Sequence, residues 1–107
     1  KYFIVLGKAL IYSDKLSEIK LEKAYEINGE VRDTIELDFD KLTGRQLIQL
    51  EKEFKKENKG ELILVANNAF AAKVAAFCAG VKEDDILDFS GKDFTTVTTE
   101  VTVFLNS

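Results

Sequence analysis

The sequence predicts an α+β fold in which an amino-terminal antiparallel β-hairpin or three-stranded meander is followed by a bundle of three to four helices. Apolar residues alternate with polar ones before residue 40, which is the period of a strand, and recur every three to four positions after it, which is the period of a helix. Asn28-Gly29, between two alternating stretches, is a hairpin signal. With 107 residues the chain has the size of one domain, in which residues 1–40 form the β meander and residues 41–107 the helical part.

The two strands of the hairpin are predicted from residues 19–27 and 31–39, where the large apolar residues fall on odd positions. A two-residue Asn-Gly loop would place these odd positions opposite polar even ones and spoil one face of the sheet. We therefore expect a three-residue loop in which Gly29 is left-handed and forms a bulge. The expected pairs are Tyr25 with Val31, Leu21 with Ile35, and Ile19 with Leu37.

The amino-terminal stretch YFIVLGKALIY, residues 2–12, is expected to add a third strand. Its alternation is poor, so it is either covered on both faces or an edge strand that pairs with another chain. It does not fit a secretory signal, because one Lys precedes it and no small-residue cleavage site follows. No apolar run approaches the roughly 20 residues of a membrane helix. The chain has no methionine, so we expect an initiator residue to be missing.

The first helix is predicted to begin at a capping box formed by Thr43 and Gln46, with Leu42 and Leu47 as the hydrophobic staple. In a capping box the threonine oxygen accepts a hydrogen bond from a free backbone N–H, and the Gln side chain reaches back to the cap. Gly60 is expected to end this helix.

The second helix is predicted from approximately Leu64 to Ala79, with Gly80 ending it, and it is apolar on most sides. Phe70, Val74 and Phe77 lie on one of its faces. The favoured interpretation is that this face packs on the sheet as core. The alternative is that it binds an amphipathic segment of another chain, which makes these three side chains candidate partner-binding residues.

A short helix or turn is predicted over residues 82–89, and a second capping arrangement follows, in which Ser90 and Asp93 lie between two phenylalanines. Residues 95–105 fit a helix or a strand. Their threonine and valine content favours a strand, whereas the cap and the staple favour a helix. We expect a helix.

The stretch DFSGKDFTTV, residues 88–97, contains a Gly-Lys pair but lacks the second glycine of a Walker phosphate loop, so a helix start explains it better. The chain has no histidine, and Cys78 without one is expected to be a small buried apolar residue. The acids of residues 83–88 lack the spacing of a calcium loop and suit a helix amino terminus. We therefore expect no catalytic residue, no metal site and no cofactor.

The net charge of −4 argues against nucleic acid as the main partner. Residues 41–60 are locally positive, with six basic and three acidic groups. The favoured interpretation is a solvated helix face, and the alternative is a surface that recognises charge. A single cysteine fits a reducing compartment, so we expect the cytoplasm. The lack of a long apolar run leads us to expect no membrane.

Two stretches, YEINGEVRDTIELDFDKLTGRQLIQLEKEF and NNAFAAKVAAFCAGVKEDDILDFSGKDFTTVTTEVTVFL, resemble the small tail assembly chaperones of tailed bacteriophages and prophages. These are the group described as tail assembly chaperone proteins E, 41 or 14. The shared order is an Asn-Gly or Asp-Gly hairpin, an acidic-apolar strand, LTGR opening a charged helix, an alanine-rich helix, a V-x-x-D-D link, and K-D-F opening the last helix. The match covers approximately residues 20–105 and leaves out residues 1–19.

The resemblance implies a non-enzymatic protein of the host-cell cytoplasm that binds the long, helical tape measure protein and keeps it soluble while the tail tube polymerises. It also implies a longer, frameshifted form that shares this sequence as a second partner, and it leaves a homo-oligomer open. It marks no contact residues. The alternative is a structural subunit or oligomerising adaptor of a phage or bacterial assembly, and an enzyme acting on a small acid or amine is a third hypothesis.

Overall fold

The computed structural model describes residues 2–6, 9–13, 16–57 and 67–106. Within these ranges four strands precede four helices, and a 3₁₀ turn at Phe39–Lys41 lies between them. The elements are β1 (Tyr2–Leu6), β2 (Ala9–Ser13), β3 (Leu16–Ile27), β4 (Glu30–Asp38), α1 (Gly44–Glu57), α2 (Asn68–Ala79), α3 (Glu83–Leu87) and α4 (Gly91–Leu105). This order confirms the predicted α+β fold, in which a β-hairpin precedes the helices.

The described strands form two separate antiparallel sheets of two strands each, β1 with β2 and β3 with β4. Residues 2–12 were expected to supply one strand of a three-stranded meander, and that expectation was wrong. They contain two short apolar runs that pair with each other, so that Tyr2 lies opposite Ser13 and Leu6 opposite Ala9. The hairpin alternative of the predicted fold is therefore the one observed.

The turn between β3 and β4 is a two-residue Asn-Gly turn rather than the three-residue loop that we expected. Asn28 has φ 54° and Gly29 has φ 81°, so both central residues are left-handed, as a type I′ turn requires. Ile27 consequently lies opposite Glu30. The twist of a type I′ turn matches that of the flanking strands, which favours it over the longer loop.

A large bulge in β3 corrects the mismatch that this short turn creates. Four residues of β3, 21–24, lie opposite Asp33 alone, so β3 carries three extra residues. Because three is an odd number, the odd positions of β3, which lie opposite even positions of β4 near the turn, lie opposite odd positions beyond the bulge. Beyond the bulge Ile19 lies opposite Ile35. The three predicted pairs were thus wrong. We expected Val31 on the buried face. It lies between the turn and the bulge, and its side chain is 74% exposed.

The hydrophobic core lies between the β3–β4 sheet and the helices, because α2 packs on β4 and α4 packs on β3. Its largest fully buried apolar side chains are Phe70, Ile27, Ile35, Leu37, Ile86, Val74, Val97 and Val101. The helix α1 packs on α2, where the rings of Phe54 and Phe70 meet edge to face at 5.6 Å. The rings of Phe39 and Phe104 stack at 4.1 Å and join the 3₁₀ turn to the end of α4.

Most of the helix ends predicted from the sequence are observed. The Thr43 hydroxyl oxygen accepts a hydrogen bond from Gln46 N at 3.2 Å, and the Ser90 hydroxyl oxygen accepts one from Asp93 N at 3.2 Å. Gly80 ends α2 with φ 70°. The predicted short helix is α3, and residues 95–105 are helical. The threonines of α4 tolerate the helix because their hydroxyls donate to carbonyls four residues earlier.

The start of α2 differs from the prediction. Asn67 is extended, and its side-chain oxygen accepts hydrogen bonds from Ala69 N at 2.9 Å and Phe70 N at 3.1 Å. The helix therefore begins at Asn68, because an asparagine cap satisfies two of its free amides. Residues 64–66 of the predicted helix, and the predicted stop at Gly60, lie outside the described residues.

Candidate functional site

The three predicted partner-binding residues lie on α2, but they do not form one surface. Phe70 is 1% exposed and Val74 is fully buried, so both side chains belong to the core, which was the favoured interpretation of this face. Phe77 is half-buried at the edge of the core. Partner binding by these residues stays a prediction, and in this conformation only Phe77 is accessible to another molecule.

Large apolar side chains reach solvent elsewhere, on three different helices. Ile48 on α1 is 56% exposed, Leu87 on α3 is 47% exposed and Val103 on α4 is 51% exposed. None of the three was predicted from the sequence as a contact residue. The only signal in the sequence was that Ile48 falls outside the stripe of Leu47, Leu50 and Phe54 that faces the core.

The face of α1 that points away from the core carries positive charge. Leu50 and Phe54 are buried on the inner side. The side chains on the opposite side are exposed, and we call them the α1 outer face: Arg45, Ile48, Lys52, Lys55 and Lys56. Among the described residues, no carboxylate forms a salt bridge with any of its four cations.

Two of the three acidic residues of α1, Glu53 and Glu57, form ion pairs with one buried lysine on α2. Lys73 on α2 is 8% exposed, and its Nζ lies 3.0 Å from Glu57 Oε1, 3.3 Å from Glu83 Oε1 and 3.7 Å from Glu53 Oε1. Burial works to lower the pKa of Lys73, but the ion pairs and hydrogen bonds with Glu57 and Glu83 outweigh it and raise the pKa above its usual 10.5. This ion cluster holds α1, α2 and α3 together and leaves the α1 outer face basic.

Asp93, in the K-D-F segment, joins the start of α4 to the bulge in β3. It is 2% exposed, and its carboxylate accepts hydrogen bonds from Glu22 N at 2.8 Å, Lys23 N at 3.3 Å and the Tyr25 hydroxyl at 2.7 Å. The Tyr25 oxygen in turn accepts one from Ser90 N at 3.0 Å. The backbone amides that the bulge releases from the ladder are thus satisfied by a side chain about 70 residues away.

These contacts change the acidity of Asp93. Burial alone would raise its pKa, but the hydrogen bonds from Glu22, Tyr25 and Lys23 favour the ionised form and hold the pKa below its usual 3.8. Asp93 therefore remains a buried, ionised carboxylate at neutral pH. Its hydrogen bonds give it a structural role, because they join α4 to β3.

A half-open cleft of about 180 Å³ lies between β4 and the end of α2. Its apolar lining includes Ile35 and Cys78, and its charged lining residues are Arg32, Glu36, Asp38 and Lys41. Cys78 is 1% exposed, which confirms its prediction as a buried residue. Burial raises the pKa of the Cys78 thiol to about 12, with Asp38 adding to the shift and Lys41 opposing it. The thiol is therefore protonated at neutral pH and is a poor nucleophile.

Within the ranges that the structure describes, no three His, Cys, Asp or Glu side chains are grouped as a metal ion would require. Glu83, Asp84 and Asp85 occupy the first turn of α3, where carboxylates complement the helix dipole. Among the described helices, none combines the length and the apolar character needed to cross a bilayer.

Comparison of the chain with protein-family models, with curated proteins and with solved structures gave no match. The resemblance to tail assembly chaperones therefore stays a prediction.

Proposed function

We propose that this protein is a non-enzymatic tail assembly chaperone of a phage or prophage, which binds the tape measure protein in the host cytoplasm during tail morphogenesis. The observation that supports it is that three helices each present one large apolar side chain to solvent, namely Ile48, Leu87 and Val103. Exposed apolar side chains on helices suit the binding of another helix, and the tape measure protein is long and helical.

The residues that carry the resemblance support a role through surfaces rather than through chemistry. Asn28 and Gly29 form the hairpin turn, Thr43 caps α1, and Asp93 ties α4 to the bulge. Each of these residues has a structural role. A partner that binds the helical surface would leave the turn, the cap and the Asp93 hydrogen bonds in place.

The direct test is co-expression with the tape measure protein encoded in the same tail gene cluster. We expect this chain to raise the soluble fraction of the tape measure protein and to co-elute with it in size-exclusion chromatography. A tape measure protein that is equally soluble with and without this chain, and that elutes separately from it, would overturn the proposal.

Phe77→Asp tests the predicted contact on α2. Phe77 is half-buried and packs against the core. We expect the variant to lose the tape measure protein while folded if Phe77 is a contact residue, and to unfold if its ring serves the core. Val31→Asp is the control for the added carboxylate, because Val31 is an apolar side chain 74% exposed on the hairpin and its replacement should leave binding intact. Circular dichroism separates loss of binding from loss of folding. If the Phe77→Asp variant is folded and still binds the tape measure protein, Phe77 is not a contact residue.

A specific observation favours the second hypothesis, a structural subunit or oligomerising adaptor. The strands β1 and β2 pair only with each other among the described strands, and nine of their ten residues are apolar. Isolated two-stranded hairpins are marginally stable in water, and edge strands recruit other chains. Light scattering on the purified chain distinguishes the two hypotheses, because a structural subunit polymerises alone whereas a chaperone remains a monomer or small oligomer.

A further inference from the structure

We infer that the α1 outer face is a docking surface for an acidic amphipathic helix of a partner protein. The inference builds on the proposed function, because it specifies the chemistry of the segment that the tape measure protein, or another client, would present. It places recognition on a surface other than the α2 face predicted from the sequence.

The geometry of α1 aligns the charges. Arg45, Lys52 and Lys56 are separated by seven and four residues, so they fall within about 40° of one another around the helix, and Ile48 and Lys55 lie beside them. The row from Arg45 to Lys56 is about 17 Å long at 1.5 Å per residue. That is three turns of helix, which is enough to contact three turns of a partner helix.

The charges on this row are not neutralised within the described part of the molecule. The neighbours of Lys52 at three and four residues are Ile48, Gln49, Lys55 and Lys56, so it has like charges on one side and no acid on the other. Like charges at this spacing destabilise a helix. Of the three acids of α1, Glu53 and Glu57 are engaged by Lys73 on the inner side. Glu51 lies one turn before Lys55, and among the described residues it forms no salt bridge with this row. A row of carboxylates from a partner would remove the repulsion.

Ile48 adds an apolar contact beside the charged row. It is 56% exposed and lies three residues after Arg45 and four residues before Lys52. Its charged neighbours one turn away are Arg45, Glu51 and Lys52, and an apolar side chain with charged neighbours is the arrangement of a small interface centre with a polar rim. The matching segment therefore has a leucine-like side chain flanked by Asp or Glu on one helical face.

A protein fits this surface better than a nucleic acid does. The net charge of the chain is −4, and the exposed side of the β3–β4 hairpin carries acids such as Glu18, Glu26 and Glu36, which would repel a long polyanion. A phosphate backbone also offers no apolar partner for Ile48. A short acidic helix satisfies both the cations and the isoleucine.

The probe is a labelled synthetic peptide of about five turns, with leucines along one face and glutamates flanking them. A second peptide of the same composition, in an order that destroys the helical faces, and a short DNA duplex are compared with it by fluorescence anisotropy at about 0.15 M salt. The test variant of the full chain is Arg45→Glu with Lys52→Glu. The control variant, Lys23→Glu with Lys82→Glu, makes the same change in net charge at exposed lysines outside α1.

We expect the wild-type chain to bind the amphipathic peptide, the test variant to bind it about tenfold or more weakly, and the control variant to bind it within about twofold of wild type. Ile48→Gln should weaken binding without changing the salt dependence. Matching thermal melts establish that all variants are folded. Equal loss in test and control variants, equal binding of the scrambled peptide, tighter binding of DNA, or no binding of the peptide would each overturn the inference.

The same variants distinguish this inference from the proposed function. If the test variant still retains the co-expressed tape measure protein as well as wild type does, the α1 outer face is not the client site, although the proposed function stands. If the peptide binds through α1 but wild type never retains the tape measure protein, the proposed function fails and the docking surface stands.

Discussion

The carboxylate of Asp93, at the start of α4, accepts a hydrogen bond from the hydroxyl of Tyr25 in β3 at 2.7 Å. The same carboxylate binds two backbone amides of the β3 bulge, and the Tyr25 ring packs against Phe89 with 4.4 Å between ring centroids. One buried side chain therefore fixes the register of the sheet and the position of the last helix. Ser17 adds a second link along the same pair of elements, since its hydroxyl donates to Glu100 Oε2 at 2.6 Å.

Asp93→Ala should lower the free energy of unfolding by about 2–4 kcal/mol, because it leaves the two bulge amides and the Tyr25 hydroxyl without their acceptor. Urea denaturation of the variant measures the loss. Asp33→Ala is the control, since Asp33 lies on the exposed side of the hairpin opposite the bulge. A cost no larger than that of the control would show that water replaces the carboxylate freely.

Acidification should remove the same contribution. The pKa of Asp93 is lower in the folded state than its usual 3.8, so its stabilisation is complete above that value and is lost as the pH falls through the folded pKa. The difference in unfolding free energy between wild type and Asp93→Asn should therefore shrink as the pH is lowered from about 5 to about 3. A difference that is constant across this range would contradict the assignment.

Lys73→Met should cost about 1–3 kcal/mol at neutral pH, because it leaves Glu53, Glu57 and Glu83 close together without a cation. The pKa of Lys73 is raised above 10.5, so its contribution is present below that pH and is lost as the pH rises through the folded value. Chemical denaturation of wild type and variant at neutral and alkaline pH gives both quantities. Lys23→Met, at an exposed site, should be nearly neutral throughout.

Thr43→Ala should cost about 1 kcal/mol through loss of the hydrogen bond from Gln46 N. Thr43→Ser keeps the hydroxyl and should retain most of that stability. Thermal unfolding followed by circular dichroism makes the comparison. An unchanged melting temperature in the alanine variant would mean that the cap contributes nothing to the start of α1.

Cys78 should react slowly with thiol reagents at neutral pH in the folded protein, because its pKa of about 12 leaves almost no thiolate and the side chain is buried. Labelling should accelerate sharply in denaturant. The rate can be followed with a chromogenic disulfide reagent. Rapid labelling of native protein would mean that the end of α2 opens readily.

The sequence by itself determined the elements whose signals are local. The caps at Thr43 and Ser90, the stop at Gly80 and the helical state of residues 95–105 depend on groups within four residues of one another. Such contacts can be inferred from residue order alone, since spacing along the chain sets spacing in a helix. The burial of Cys78 followed in the same way from its apolar surroundings.

Only the tertiary structure decided the register of the hairpin and the character of the α1 outer face. The bulge in β3 is compatible with a short turn because Asp93, from the far end of the chain, satisfies its free amides. The basic character of the α1 outer face is preserved because Lys73, on another helix, engages two of the three acids of α1. Both outcomes depend on buried polar groups finding partners across the fold, and that requirement leaves no periodic trace in the sequence.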